Sequence, residues 1–132
     1  MEQQEKKQEL IFKLGMFEQQ IHQLQEQMEA VEMGINDLGT LDFGLDELNG
    51  SIGKEILSPL GKGIFVKTKL ISEDLTVDIG GRNFVKKSVP EVKEMIEEQI
   101  KKLIIMRGEM DGNLERISEE MTKTLKEFQD KE

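Results

Sequence analysis

Residues 10–38 decide the fold, and they read LIFKLGMFEQQIHQLQEQMEAVEMGINDL. Apolar side chains recur at alternating steps of four and three through four heptads without a miss: Leu10, Leu14, Phe17, Ile21, Leu24, Met28, Val31, Ile35 and Leu38. This 3.5-residue period is the a/d seam of a coiled coil, which keeps one narrow apolar stripe facing a partner helix. The pattern therefore predicts an N-terminal coiled-coil helix over residues 1–38 that needs a second helix to cover its stripe.

A second seam near the other end of the chain supplies that partner. It keeps the same alternating steps at Ile96, Ile100, Leu103, Arg107, Met110, Leu114, Ile117, Met121, Thr124 and Phe128. Its start is indicated by Ser88, with Pro90 in the first turn and Glu91 three residues on, which is the spacing of a capping box. We predict a C-terminal coiled-coil helix over residues 89–132. Arg107, a charged residue in the seam, is expected to snorkel, to pair with a glutamate of the facing helix or to set the register.

The residues between the seams predict a connector and two β-hairpins. Residues 39–54 contain four glycines and Asn49, which favour turns, and we interpret them as a connector. Residues 55–88 contain four short β-prone runs separated by glycine-containing or polar turns, which is the pattern of two hairpins in tandem. The predicted fold class is α+β, in one domain over residues 1–132. A long antiparallel coiled-coil helical hairpin would carry two central β-hairpins.

The composition excludes several classes of function. Apolar residues make up 36% and charged residues 34% of the chain, and the net charge is −9. Such acidity argues against nucleic acid and against an anionic membrane surface as partners. The absence of cysteine suits a reducing compartment, and the polar N-terminal residues do not resemble a signal peptide. We expect a soluble protein of the cytoplasm.

Motifs for cofactors and catalysis are weak. The Gly61–Gly63 turn contains a lysine but lacks the spacing of a phosphate-binding loop, and the same holds for Gly53–Glu55. The acidic residues of the connector do not have EF-hand spacing, and His22, the only histidine, cannot form a zinc site without cysteines. We predict no enzyme, no metal and no cofactor.

The order of these elements resembles the prefoldin alpha subunits over essentially the whole chain. Residues 58–67 (SPLGKGIFVK) look like the first hairpin of that subunit, and residues 76–81 (TVDIGG) with 84–88 (FVKKS) look like its second hairpin entering the last helix. The two hairpins favour the alpha class, because the beta class has one. The absence of extensions resembles the archaeal members.

This resemblance implies an ATP-independent chaperone of the holdase type. In the family, two alpha and four beta subunits join their hairpins into a barrel platform, and the coiled coils hold unfolded proteins at their tips. These clients pass to a group II chaperonin. The alternatives are a prefoldin-like protein that forms homo-oligomers or filaments, and a coiled-coil adaptor for one folded partner.

The sequence also suggests where binding occurs. Where the helices end, a two-stranded coil has more apolar residues than it can cover, and such a surplus typically marks a binding site. The predicted client-binding tip is Leu10, Ile11, Leu14, Met121, Leu125 and Phe128. Unpaired hairpin edges would aggregate unless a partner covered them. The predicted oligomer interface is Ile64, Val66, Val77, Ile79, Phe84 and Val85.

Overall fold

A computed structural model describes residues 1–130 and confirms the α+β class with two long helices and two antiparallel hairpins. The elements in chain order are α1 (Glu2–Leu48), β1 (Glu55–Gly61), β2 (Ile64–Lys69), β3 (Leu75–Asp78), β4 (Phe84–Lys87) and α2 (Val89–Asp130). The chain divides into two compact units. We call Met1–Ile35 with the part of α2 from Lys102 onward the helical unit, and Asn36–Lys101 the hairpin unit.

In the helical unit the two predicted seams are the covered faces of the helices. Every seam residue of this unit is buried or half-buried, whereas most of the residues between them are exposed. The helices run antiparallel, since Leu24 lines a shallow groove with Ile117, and Leu10 lines another with Phe128. Arg107 donates a hydrogen bond of 2.6 Å to the Glu32 carboxylate, which confirms the predicted pairing across the seam.

Helix α1 is longer than the apolar pattern alone predicted. It continues through Leu48, so the predicted connector of residues 39–54 is corrected to residues 49–54. Gly39 and Gly44 lie inside the helix, where each costs about 1 kcal/mol relative to alanine. Leu45 is buried, and burying one leucine contributes roughly 1.5–3 kcal/mol. Apolar burial therefore offsets the glycine penalty and keeps this segment helical.

The hairpin unit has a small aliphatic core. Its buried members are Leu45, Val89, Val92 and Ile96, and its half-buried neighbours are Leu38, Leu48, Leu75, Val77 and Ile100. At its border Lys93 pairs with Asp46 and lies 4.0 Å from Asp42. The hydrogen bond to Asp46 raises the pKa of Lys93 above its usual value, so the ammonium group stays charged beside these carboxylates.

The start of α2 has the predicted capping box. The Glu91 backbone N–H donates to Ser88 Oγ over 3.3 Å, and the Ser88 backbone N–H donates to Glu91 Oε1 over 3.4 Å. These reciprocal bonds satisfy two donors at a helix start that follows β4 directly.

The two hairpins form separate two-stranded sheets. In the first, β1 pairs with β2 in the register Glu55↔Lys69 and Leu57↔Lys67, with an irregularity after Pro59. In the second, Val77 of β3 faces Val85 of β4. Within residues 1–130 neither sheet gains a third strand, so each hairpin has two unpaired edges.

Candidate functional site

The first candidate surface lies at the end of the helical unit where α1 begins and α2 ends. Most of the residues predicted as a client-binding tip are half-buried there: Leu10, Leu14, Met121 and Phe128, which lie in the seam, and Leu125, which lies next to the seam residue Thr124. Ile11 is the exception, because 62% of its surface is exposed. The two helices thus cover most of the predicted set by packing against each other.

Two further apolar residues, which the sequence analysis missed, are exposed beside Ile11. Phe12 is 69% and Met16 47% exposed. They are four residues apart on α1 and therefore share one face of the helix, away from the seam. The sequence could have indicated them, because both are apolar residues outside the seam positions. The other outer residues of this helix are mostly Gln, Glu and Lys. We call Ile11, Phe12 and Met16 the tip patch.

The surroundings of the tip patch are polar and charged. Phe12 lines a shallow depression together with Glu5, Gln8, Glu9 and Lys13. An exposed aromatic ring with a charged rim resembles a protein-binding surface, in which polar groups surround an apolar centre. Met16 adds a flexible and polarizable side chain that adapts to partners of different shape.

The second candidate surface is the pair of hairpins, and the predicted interface residues divide between two environments. Ile64, Val66, Ile79 and Phe84 are exposed. Val77, in contrast, packs against the core of its own hairpin unit. Val85 is its cross-strand neighbour, lies on the same face and is half-buried. The alternation of the strand thus turns one face of the second hairpin inward.

The first hairpin exposes more apolar surface than the sequence analysis assigned to it. Leu57, Leu60 and Phe65 are between 57% and 71% exposed, although none was among the predicted interface residues. Apolar side chains beside unpaired strand edges favour pairing with another chain. The arrangement is suited to binding another β-element rather than to chemistry.

The possible metal ligands of the described residues are not clustered. Among residues 1–130 there is no group of three or more His, Cys, Asp or Glu side chains placed to hold a metal ion. His22 contacts Glu26 at 3.1 Å on the exposed side of α1. No helix in the described part of the chain is long and apolar enough to cross a membrane.

Comparison with known proteins agrees with this arrangement of helices and hairpins. Residues 17–132 match the family described as prefoldin subunit. The chain belongs to the prefoldin family. Prefoldin is a family of chaperones rather than of enzymes, and its alpha subunits form complexes with other prefoldin subunits.

Two similar proteins are prefoldin alpha subunits of archaea. The chain is 33% identical over 120 residues to prefoldin subunit alpha of Methanobrevibacter smithii, covering 90% of this chain and 82% of that protein. It is 27% identical to prefoldin subunit alpha of Methanosphaera stadtmanae, covering 74% of this chain and 70% of that protein. The resemblance to the alpha class predicted from the two hairpins is confirmed.

A solved structure has the same fold. The cryo-electron microscopy structure of filamentous PFD from Methanocaldococcus jannaschii superposes with a TM-score of 0.78, covering 87% of this chain and 97% of that one. The two sequences are 21% identical, so this likeness concerns the fold of the prefoldin protomer. It supports the arrangement of two helices and two hairpins described above.

Proposed function

We propose that this chain is the alpha-type subunit of an ATP-independent holdase in the cytoplasm. Two copies would join four beta-type subunits through their hairpins. The helical units would hold unfolded proteins at their tips, and the loaded complex would deliver them to a group II chaperonin. The handover follows from the resemblance to the family, whereas client capture also has support in the geometry of this chain.

The observation that carries the proposal is the tip patch. Ile11, Phe12 and Met16 are exposed at the end of a helical unit whose own seam is already covered. Because they do not hold the two helices together, their apolar surface is open to a client without unwinding the coil. Burying one phenylalanine side chain contributes roughly 1.5–3 kcal/mol, and several tips acting on one client would add avidity.

The test removes this surface while the seam stays intact. Changing Ile11→Ser and Phe12→Ser together should weaken suppression of aggregation of reduced insulin B chain by about tenfold in the concentration needed. The matched control is Met33→Ser with Ile105→Ser, two residues of the helical unit that are 66% and 62% exposed. Both variants should assemble with a beta-type prefoldin subunit as the wild type does. Unchanged suppression by the tip variant, or equal loss in the control, would contradict client capture at the tip patch.

The alternatives from the sequence make different predictions for the chain alone. A homo-oligomer or filament former would give very large species in light scattering after size exclusion, and a beta-type subunit would not change them. An adaptor for one folded partner would not suppress aggregation. The proposed holdase subunit should form a discrete hexamer only on mixing with the beta-type subunit.

A further inference from the structure

We propose that the helical unit binds the main chain of an extended client segment, along a row of glutamines that continues from the tip patch. The ligand is a non-native polypeptide whose peptide groups are exposed, and it is recognised independently of its sequence. This inference rests on the proposed capture of clients at the tip patch. It adds a second contact, of different chemistry, on the same helix.

The glutamines lie in a part of α1 that has few charges. Residues 19–25 read QQIHQLQ and contain four glutamines but no Lys, Arg, Asp or Glu. We call four exposed glutamines of this part of α1 the amide stripe: Gln19, Gln20, Gln23 and Gln27. Because an α-helix turns by about 100° per residue, they lie within an arc of about 100° that also contains Phe12 and Met16. The amide stripe therefore continues the tip patch along one face of α1.

Charged residues border the amide stripe but do not lie within it. Lys13 and Glu26 lie at its two edges, and Glu18 and Glu29 lie farther round the helix. The carboxylate of Glu26 contacts His22 at 3.1 Å. An uncharged surface attracts and repels acidic and basic clients about equally. The stripe is thus suited to clients of any charge.

The amide stripe forms one wall of a groove between the two helices. The groove is lined by four amide side chains and by one charged residue: Gln20, Gln23, Gln27 and Asn113, and Arg116. The seam residues Leu24 and Ile117 line it as well. Amides from both helices thus converge on one groove, which the spacing of the glutamines in α1 alone does not show.

The groove amides are available to a ligand. In the part of the helical unit that the structure describes, side-chain hydrogen bonds are donated by Arg107, Thr122 and Thr124, and by none of these amides. A primary amide carries both donors and an acceptor, as a peptide group does. Folded proteins pair nearly all of their buried peptide groups internally, whereas an extended non-native segment exposes them. The stripe therefore favours unfolded over folded proteins through a feature that all unfolded chains share.

The distances fit a single extended segment. The step from Phe12 to Gln27 is about 22 Å along α1. An extended chain rises by about 3.3 Å per residue, so about seven residues bridge this distance. One client segment can thus place an apolar side chain on the tip patch and its following peptide groups along the amide stripe.

The first test measures the binding of fluorescent peptides to the full chain by anisotropy. Two peptides share an apolar anchor, and one continues in an uncharged tail of about ten residues of Ser, Thr and Gly, which is long enough to reach Gln27. The tail should raise the affinity by about fivefold, since each hydrogen bond exchanged with water contributes little. A third peptide, with N-methyl groups on alternate peptide nitrogens of the tail, should lose this gain. A gain that survives N-methylation would overturn recognition of the main chain.

The second test removes amides from the stripe. Gln23→Ala with Gln27→Ala keeps residues that favour helix, and this variant should bind the tailed and untailed peptides equally. The matched control is Gln25→Ala with Gln99→Ala, two exposed glutamines that do not line the groove, and it should retain the gain of about fivefold. Equal loss of the gain in both variants, or its retention in both, would overturn the inference.

The outcomes separate this inference from the client capture on which it rests. Ile11→Ser with Phe12→Ser should weaken binding of the untailed peptide, because this peptide contacts only the tip patch. If that loss occurs but the tail adds no affinity to the wild type, the amide stripe is wrong and the tip patch stands. If the untailed peptide binds the wild type and the tip variant alike, or binds neither, capture at the tip patch is wrong.

Discussion

The two hairpins have the same antiparallel topology, but one packs against the protein core and the other does not. Leu75 and Val77 of the second hairpin pack against the core of the hairpin unit, whereas no residue of the first hairpin belongs to that core or to its half-buried neighbours. The first hairpin instead leaves five large apolar side chains exposed. One hairpin is therefore anchored by its own protomer, while the other leaves its apolar side chains exposed, as the proposed assembly through hairpins requires.

The difference follows from how each hairpin is joined to the helices. The second hairpin leads into α2 through the Ser88 capping box without a linker, so its inner face meets the first turns of that helix. The first hairpin follows Gly50 and Gly53, whose φ angles of 74° and 87° glycine adopts without strain. Backbone bonds from Gly53 N to Leu70 O (2.7 Å) and from Leu70 N to Lys54 O (3.0 Å) close its base.

The largest expected change in the free energy of unfolding comes from a comparison of one valine in each hairpin. Val77→Asp places a charge against the aliphatic core and should lower the free energy of unfolding by about 2–4 kcal/mol. Val66→Asp, at an exposed valine of β2, should cost less than about 1 kcal/mol in the chain alone. It should nevertheless weaken binding of the beta-type subunit. Urea unfolding followed by circular dichroism checks the first two values, and equal destabilisation by both variants would remove the distinction between the hairpins.

A smaller effect is expected where the second hairpin enters α2. Ser88→Ala removes the acceptor of the Glu91 N–H and should cost about 1 kcal/mol. Hydrogen exchange should increase in the first turn of α2 and in β3 and β4, and remain unchanged in β1 and β2. Ser118→Ala, away from any helix end, is the control, and faster exchange in the first hairpin would show that the two hairpins are not independently supported.

The smallest expected loss of stability follows from a substitution inside the first hairpin. Ser58→Ala removes the hydroxyl bond to Thr68, which crosses the hairpin and should contribute about 0.5–1 kcal/mol. Because this hairpin lies outside the core, thermal unfolding of the helices should be unchanged, and the loss should appear as faster exchange in β1 and β2 alone. A lower midpoint for the helical signal would mean that the first hairpin supports the helices after all.

Much of the fold was predictable from the sequence, because the apolar seams are periodic and the helix cap depends on neighbouring residues. The seams from Leu10 to Leu38 and from Ile96 to Phe128 are the covered faces of α1 and α2, and Ser88 begins α2 as predicted. The end of α1 was not predictable in the same way. Gly39 and Gly44 favour a break locally, and only the packing of Leu45 with Val89, Val92 and Ile96, distant in sequence, outweighs them.

The candidate sites were predicted only in part, since exposure depends on which face a partner covers. The tip was expected from surplus apolar residues, yet most of the predicted set is half-buried, and Phe12 and Met16 join Ile11 outside the seam. Leu75, Val77 and Ile79 alternate with polar residues, a pattern typical of a half-buried strand, but the alternation alone does not tell whether Val77 or Phe84 faces inward. That choice depends on the register of Val77 with Val85 and on where α2 begins.

The sequence alone determined the helical seams and the two hairpins, because each depends on the spacing of residues close together in the chain, and the order of these elements then determined the resemblance to prefoldin. The tertiary structure decided the length of α1, the anchoring of the second hairpin and the exposure of the first. These depend on contacts between distant segments, where burial of a few aliphatic side chains outweighs local preference.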